Sequence, residues 1–564
     1  MSLDELSDLL KLTSSLMEII DENPYKINAY KNASFNIDKI NFDLSSATEE
    51  EISQINGIGK SIVQAIIQYR DFGTFEEYEK IKAKVPEGLA DLLSINGLGP
   101  KKIKILWKDL QISNKNELLK ACKANILADA KGFGFKTQKS IQENILFELS
   151  QQGKLRLNEA EVLDSIIVTL LEKYFTKVSL TGDYYRKDET IDCLEYVVIH
   201  SDKDFTFNPK VSFFSEQDST ELTYLFEKSS PYCLVFKWNK TNTELKIYLS
   251  DTEKLISETY ILGASQKHLQ EKFNNSSLLK ILNTHNFKSE NEIFEQLTLP
   301  YIAPTQREGT LEWELARENK IEQIKYSDLK GPLHNHSTWS DGKNTLSEIV
   351  EFCKSQKWEY MGISDHSQSA TYAGGLEPEK ILSQHKEIDQ LNSQNGGFKI
   401  FKGIESDILA DGSLDYTEDI LKLFDYIVAS VHSGLQMDEE KATVRLIKAI
   451  ENPYTSILGH PTGRLLLKRK GYSINYKKVI DACAANNVAI EINSNPWRLD
   501  LSWHYVHYAQ EKGVKIAICP DAHENSGFYD MKYGILMAQK GFLTKENCIN
   551  TYSKAELERY FKKL

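Results

Sequence analysis

Nine of the twelve histidines in this 564-residue chain fall between positions 334 and 523, and six of them stand in short polar stretches with acids nearby. The first stretch reads Leu333-His334-Asn335-His336-Ser337-Thr338-Trp339-Ser340-Asp341-Gly342. Alternate residues of an extended strand point to one side, so His334 and His336 can share a metal while Asp341 returns from the loop. The others are Ser364-Asp365-His366-Ser367, Gly403-Ile404-Glu405, Ser430-Val431-His432-Ser433, Gly459-His460-Pro461 and Pro520-Asp521-Ala522-His523. A lone histidine in such a place is more often packed or solvated than a ligand. Six histidines and three carboxylates, each ending an apolar run, have no comparable structural explanation. Imidazole with carboxylate suits zinc, manganese or iron. Nine ligands exceed the needs of one ion, so two or three divalent ions are expected. Closely spaced ions activate water at neutral pH and clamp both the attacking and leaving oxygens of a phosphoester, so phosphoester hydrolysis is the implied chemistry. His385, His504 and His507 fall inside helical patterns and are not expected to be ligands.

The elements that must position these residues repeat as strand, loop and helix from about residue 326 onward, the pattern of a parallel α/β barrel with its site on the loops at the strands' carboxyl ends. Residues from about 155 to 300 mix β-rich runs with turn signals and read as an α/β or α+β unit. Residues 1 to about 150 read as short helices broken by glycines.

Those breaks form a second constellation: Ile55-Asn56-Gly57-Ile58-Gly59-Lys60, Ile95-Asn96-Gly97-Leu98-Gly99-Pro100-Lys101-Lys102 and Lys131-Gly132-Phe133-Gly134-Phe135-Lys136. Paired glycines permit a tight turn that exposes backbone N–H groups at a helix start. Such a start suits a phosphate oxygen, and the neighbouring lysines add cations. Contacts of this kind read the DNA backbone and not its bases, so binding is expected to be sequence-independent. Any one copy could be a plain helix connector; three copies with a nearby lysine argue otherwise.

Composition sets outer limits. Hydrophobic content of 41% with 26% charged residues excludes disordered, collagen-like and membrane classes. Lys+Arg 68 against Asp+Glu 81 gives −13, which does not announce a nucleic-acid binder, yet residues 101–140 hold ten lysines and three acids. Seven scattered cysteines without a Cys-x-x-Cys pair point to a reducing cytoplasm. The amino terminus reads as an acidic amphipathic helix and not as a secretory signal. No membrane partner is expected, and a monomer is the expectation for the assembly.

The order of ligand motifs from about residue 328 to the end resembles the polymerase and histidinol phosphatase (PHP) domain, with all nine positions filled. The resemblance implies His334, His336, Glu405 and Asp521 on one ion, Glu405, His432 and His460 on a second, and Asp341, His366 and His523 on a third. Arg464 and Arg498, in loops of the same face, are candidate phosphate or DNA contacts. The glycine turns resemble helix-hairpin-helix DNA-binding motifs. Over nearly its whole length the chain resembles a bacterial family X DNA polymerase. The architecture implied is multidomain: α-helical hairpins and fingers over 1–150, an α+β polymerase β-like nucleotidyltransferase palm over 151–325, and a distorted α/β (β/α)7 PHP barrel over 326–564. The activity implied is 3′-to-5′ hydrolysis of DNA ends in DNA repair. An active gap-filling polymerase and a small-molecule phosphatase are the rival readings.

The family's nucleotidyl-transfer motif is altered. Aligned on Gly182 and Glu189, its triphosphate-contacting serine falls on Asp183, near Arg186, and its two metal-binding aspartates fall on Cys193 and Glu195. A third aspartate is expected on Glu244–Leu249, where the interior candidates Leu245 and Lys246 cannot replace it. Two-metal nucleotidyl transfer requires hard oxygen ligands, so the palm is expected to be inactive. The Schiff-base lysine of the family's lyase activity falls on Ala65, with Ser61 and Lys60 nearby, so lyase activity is not expected either.

Overall fold

The computed structural model describes all residues except 1–2, 38–43, 45, 56, 96, 209, 211, 216, 219, 274–275, 395 and 563–564. The chain divides into two units, Met1–Gln151 and Gln152–Leu564.

The first unit is helical. Leu6 and Leu10, Ile62 and Ile66, Ile103 and Leu106, and Ile141 and Ile145 recur at one-turn spacing and meet in a common core, as amphipathic helices require. In all three glycine turns the first glycine is left-handed: φ is 79° at Gly57, 89° at Gly97 and 85° at Gly132. That region disfavours any residue with a Cβ. Two residues later Gly59, Gly99 and Gly134 cap the helices Lys60–Phe72, Pro100–Lys108 and Phe135–Ser150, each without a side-chain hydrogen bond to the cap. The first-turn N–H groups are thus left to an outside acceptor. Asn56 and Asn96 of these motifs lie outside the described residues.

The second unit contains two large sheets and two two-stranded ones. In the palm, β1 (Lys177–Thr181), β2 (Cys193–Ile199), β3 (Leu222–Tyr224), β4 (Cys233–Trp238) and β5 (Thr243–Leu249) are ordered β1-β2-β5-β4-β3, with only β2 and β5 parallel. In the barrel, β6 (Tyr360–Ile363), β7 (Lys399–Asp407), β8 (Tyr426–Ser430), β9 (Ile457–Leu458), β10 (Ala489–Asn493) and β11 (Ile516–Cys519) run parallel in sequence order. Residues 332–336 bond to both outer strands: Gly362 N donates to Pro332 O at 2.8 Å, and His336 N donates to Ala522 O at 2.9 Å. This seventh segment joins the sheet's edges, which is the curled barrel expected from the sequence. Below the ligands the interior is apolar, with Leu333, Phe401, Tyr426, Val428, Ile457 and Phe561 in contact. A Cβ at Gly362 or Gly403 would collide with the Tyr426 ring, so glycine is needed where these strands pass the tyrosine.

Palm and barrel share one core that runs from Leu155 through Leu234 and Ile324 to Cys548. Their polar seam is built on Lys540, fully buried, whose ammonium donates to Asp188 Oδ1 (2.7 Å), Arg186 O (3.0 Å) and Glu308. Removing the cation would leave Asp188 and Glu308 to share Arg186 alone, and breaking a buried pair costs up to about 3–5 kcal/mol. Lys540→Met is therefore expected to lower stability by that order in guanidinium unfolding, with part of the loss recovered in Lys540→Met/Asp188→Asn.

Candidate metal centre

Every sequence-predicted ligand stands at the carboxyl end of the barrel. His334 and His336 end the seventh segment, His366 follows β6, Glu405 lies on β7, His432 follows β8, His460 follows β9, and Asp521 and His523 follow β11. Asp341 is brought in by its loop: Gly342 N donates to Ser337 O (2.9 Å) and Lys343 N to His523 O (2.7 Å). Asp365, fully buried, fixes that loop by accepting from Ser337 N and Oγ, Ser340 Oγ and Gln384 Nε2 at 2.6–2.8 Å. It organises the loop while its neighbour His366 faces the cluster.

Glu405 is the centre. It is fully buried, with His334 Nε2 at 3.3 Å, His366 Nδ1 at 2.9 Å, and His432 Nε2 and His460 Nε2 each at 3.1 Å. Asp521 Oδ1 lies 3.1 Å from His336 Nε2, and Asp341 Oδ1 lies 3.4 Å from His523 Nε2 and 3.6 Å from His366 Nε2. The residues that converge closely enough to hold an ion are His336, Asp341, His366 and His523; His334, His336 and Asp521; and His366, Glu405 and His432. His336 and His366 thus each belong to two groupings, where the family pattern gives each of those histidines one ion and shares Glu405 between two.

These atoms fit a cation better than they fit one another. His334 Nε2, His336 Nδ1, His366 Nδ1, His460 Nδ1 and Glu405 Oε2 are buried without a hydrogen bond, although His366 Nδ1 and Glu405 Oε2 are only 2.9 Å apart. Buried polar atoms left this way are costly unless something else satisfies them. Outer partners orient the rings: His334 Nδ1 meets Glu491 Oε2 at 2.6 Å, His432 Nδ1 meets Asp407, and His523 Nδ1 meets Asp521 O at 3.0 Å. In all three the other nitrogen is directed into the cluster, the arrangement typical of metal-bound histidine.

Electrostatics agree. Burial alone would raise the Glu405 carboxyl, but the His432, His334 and His366 imidazoles hold it well below the usual range. Burial would likewise raise Asp341, yet His523, His336 and His366 draw it down to about 2. His336 stacks between His366 and His523 at ring-centroid distances of 4.3 and 4.2 Å. Burial and those two rings bring it down to about 3, so the ring is neutral at pH 7 and one of its nitrogens keeps a lone pair for a metal.

The two candidate arginines separate. Arg498 Nε lies 3.6 Å from Asp521 Oδ2, at the cluster. Arg464 donates to Glu189 Oε1 (2.8 Å), Arg498 O (2.8 Å) and Leu499 O; it ties palm to barrel and points away from a phosphate role. His385 packs on Phe424 from the helix Pro378–Gln394, His504 stacks on Trp503, and His507 pairs with Glu511; none joins the cluster. Sequence reading passed over Glu491, Asp407 and Asp365. A lone glutamate inside the apolar run Val488–Ile492 was the available signal for the first.

In the palm, Thr181 faces Glu195 and Glu195 faces Lys246 in register. Glu195 Oε1 accepts from Tyr248 Oη at 2.8 Å and lies 3.4 Å from Lys246 Nζ. Cys193 is buried and its thiol is pushed up by burial. Asp183 pairs with Arg186 at 2.7 Å, and Arg186 also meets Asp188 and Glu308. A Cβ at Gly182 would strike the Glu195 carboxylate. Among the described residues, the potential metal groupings all lie in the barrel. In the helical unit, Lys60, Lys101 and Lys136 are exposed beside their turns, while Lys102 Nζ donates to Gly97 O at 2.9 Å.

Known families match three stretches: a helix-hairpin-helix domain at residues 2–75, a SAM-like helix-hairpin-helix tandem at 89–145, and a PHP domain, a metal-dependent class, at 332–495. The chain is 32% identical over 566 residues to the DNA polymerase/3'-5' exonuclease PolX of Bacillus subtilis (strain 168), covering 98% of each. It is 31% identical over 176 residues to a probable phosphatase of Thermoanaerobacter sp. (strain X514), covering 29% of this chain and 69% of that protein. A probable phosphatase of Caldicellulosiruptor bescii is 33% identical over 215 residues, covering 35% of this chain and 80% of that protein.

Removing an outer partner of a ligating histidine lowers metal affinity about 10–100-fold. Glu491→Gln is accordingly expected to retain less zinc or manganese than the unsubstituted chain after dialysis against a graded chelator, measured by elemental analysis, with an unchanged circular dichroism spectrum.

Proposed function

The chain belongs to the bacterial family X DNA polymerases that carry a carboxyl-terminal PHP domain, and we propose that within that family it acts as a metal-dependent 3′-to-5′ exonuclease on DNA ends in DNA repair, with a palm that does not polymerise. One observation carries the reading: the residues able to hold metal gather in the barrel, while Lys246 stands beside Glu195 where the palm would need another carboxylate.

His334, His336, Glu405 and Asp521 would hold one ion, Glu405, His432 and His460 a second, and Asp341, His366 and His523 a third, with zinc, manganese or iron suited to the donor set. Bound there, divalent ions supply Lewis-acid polarisation of a phosphoester and lower the pKa of water. The chain's own part is to keep the three carboxylates ionised, to fix the imidazoles through Glu491 and Asp407, and to set the Arg498 guanidinium where a phosphate oxygen would approach. The glycine turns, with Gly57, Gly59 and Lys60, Gly97, Gly99, Lys101 and Lys102, and Gly132, Gly134 and Lys136, would hold the DNA backbone through first-turn N–H groups, whatever the sequence. No helix among the described residues is long and apolar enough to cross a membrane, and the seven free cysteines support a reducing cytoplasm.

The relative's name covers polymerisation as well, and the barrel-only phosphatases keep a small-molecule substrate in view. The hairpin unit weighs against the latter. His336→Ala or Asp521→Ala is expected to lower release of 3′ nucleotides at least 100-fold, with duplex affinity within twofold in fluorescence anisotropy. Primer extension with dNTPs and Mn²⁺ on a gapped duplex should yield no incorporation; incorporation abolished by Glu195→Ala would overturn the inactive palm. Faster turnover of histidinol phosphate than of oligonucleotides would overturn the nuclease.

A further inference from the structure

Beside the metal cluster stands an exposed aromatic ring that neither the ligand set nor the hydrophobic core explains. We propose that Tyr372 is the platform on which the 3′-terminal base of a DNA strand stacks while its phosphodiester lies over the cluster. The inference rests on the exonuclease reading above and deepens it by naming what recognises the strand end.

Tyr372 stands on the turn Thr371–Ala373, a few residues beyond His366. Its ring centroid is 6.4 Å from that of His366, yet the residue is 65% exposed. A surface aromatic alone means little, since much of any protein surface is apolar. What distinguishes this one is that its loop is pinned. Ser367 N donates to Glu405 O (3.0 Å), Leu376 N to His366 O (2.8 Å) and Gly375 N to Ala370 O (3.1 Å). Ser369 N donates to Asp415 Oδ2 (2.7 Å) and Ser369 Oγ to Asp407 Oδ2 (2.9 Å). A Cβ at Gly375 would collide with Ser367 O, so the loop closes tightly only with glycine there. The ring is therefore presented to solvent in a fixed place, from a loop tied to the same residues, Glu405 and Asp407, that build the cluster.

Its chemistry suits a base and not a phosphate. A tyrosine phenol is neutral at physiological pH, so it does not repel the phosphodiester. Every base has a π-face, so stacking is indifferent to sequence, as an enzyme that removes successive nucleotides requires. A base also stands several bonds from its phosphate, which matches a ring at the rim and not inside the ligand shell.

The test uses the full chain with Mn²⁺ and a 3′-overhang oligonucleotide ending in 2-aminopurine, whose fluorescence falls on stacking. Wild type and Tyr372→Phe should quench the terminal probe, and Tyr372→Ala should not; a probe placed internally should respond alike in all three. For hydrolysis, Tyr372→Ala should raise KM roughly tenfold, the size of one aromatic–base contact, with kcat within twofold. It should be without effect on an oligonucleotide whose 3′ terminus is abasic. Equal quenching by wild type and Tyr372→Ala, or equal loss on normal and abasic ends, would overturn the stacking role. Failure of wild type to hydrolyse either oligonucleotide would instead bring down the exonuclease reading and this inference with it.

Discussion

A carboxylate with no access to water cannot carry charge by itself, and Glu405 is such a carboxylate. Burial alone would neutralise it; four imidazole nitrogens within 3.3 Å keep it ionised. The rest of the barrel's upper face follows from that requirement. His334 and His432 can face Glu405 through Nε2 only because Glu491 and Asp407 hold their other nitrogens. Those acids come from the strands β10 and β7, so the placement of the strands in the sheet sets the ring orientations. Glycine at 362 and 403, in turn, lets Tyr426 fill the layer beneath and donate to Leu333 O and Ile363 O, immediately below the first ligand pair.

The palm shows the same constraint resolved differently. Glu195 also sits in a partly buried place, but its neighbours are the Lys246 ammonium and the Tyr248 hydroxyl. A permanent cation of the chain satisfies the carboxylate there. A lysine in that position lowers the site's negative charge, and on the proposed reading of the palm this weighs against two-metal chemistry alongside Cys193.

Much of this was legible in sequence because each signal was local. Nine ligands ended apolar runs, and the glycine turns showed their paired pattern within six residues. The parallel barrel was visible in the strand, loop and helix rhythm. What stayed hidden depends on pairing across long separations. Glu491 meets a histidine 157 residues away and Arg464 meets Glu189 across 275 residues; no spacing rule reports either. Arg464 looked like Arg498, since both follow ligand strands in polar loops, and only the seam tells them apart. Tyr372 was hidden for the opposite reason: its sequence neighbours form an ordinary turn, and its position matters only once His366 and Asp407 are placed.

The seam also gives the palm a structural role in the barrel. Apolar side chains from Leu155 to Ile247 and from Ile324 to Cys548 belong to one core, so the palm's inner face is the barrel's support. The loop where the family places its triphosphate contacts has become part of that support: Asp183 and Asp188 bind Arg186, Asp188 accepts from Lys540, and Glu189 accepts from Arg464. Acids there would repel a nucleotide triphosphate, but they match the barrel's cations. These charges thus favour the contact between the two sheets. Deleting the palm would leave Lys540 without its carboxylates and Arg464 without Glu189, and would expose the shared core. The barrel's need for that support is therefore enough by itself to hold the palm in its fold, independently of any chemistry of the palm's own.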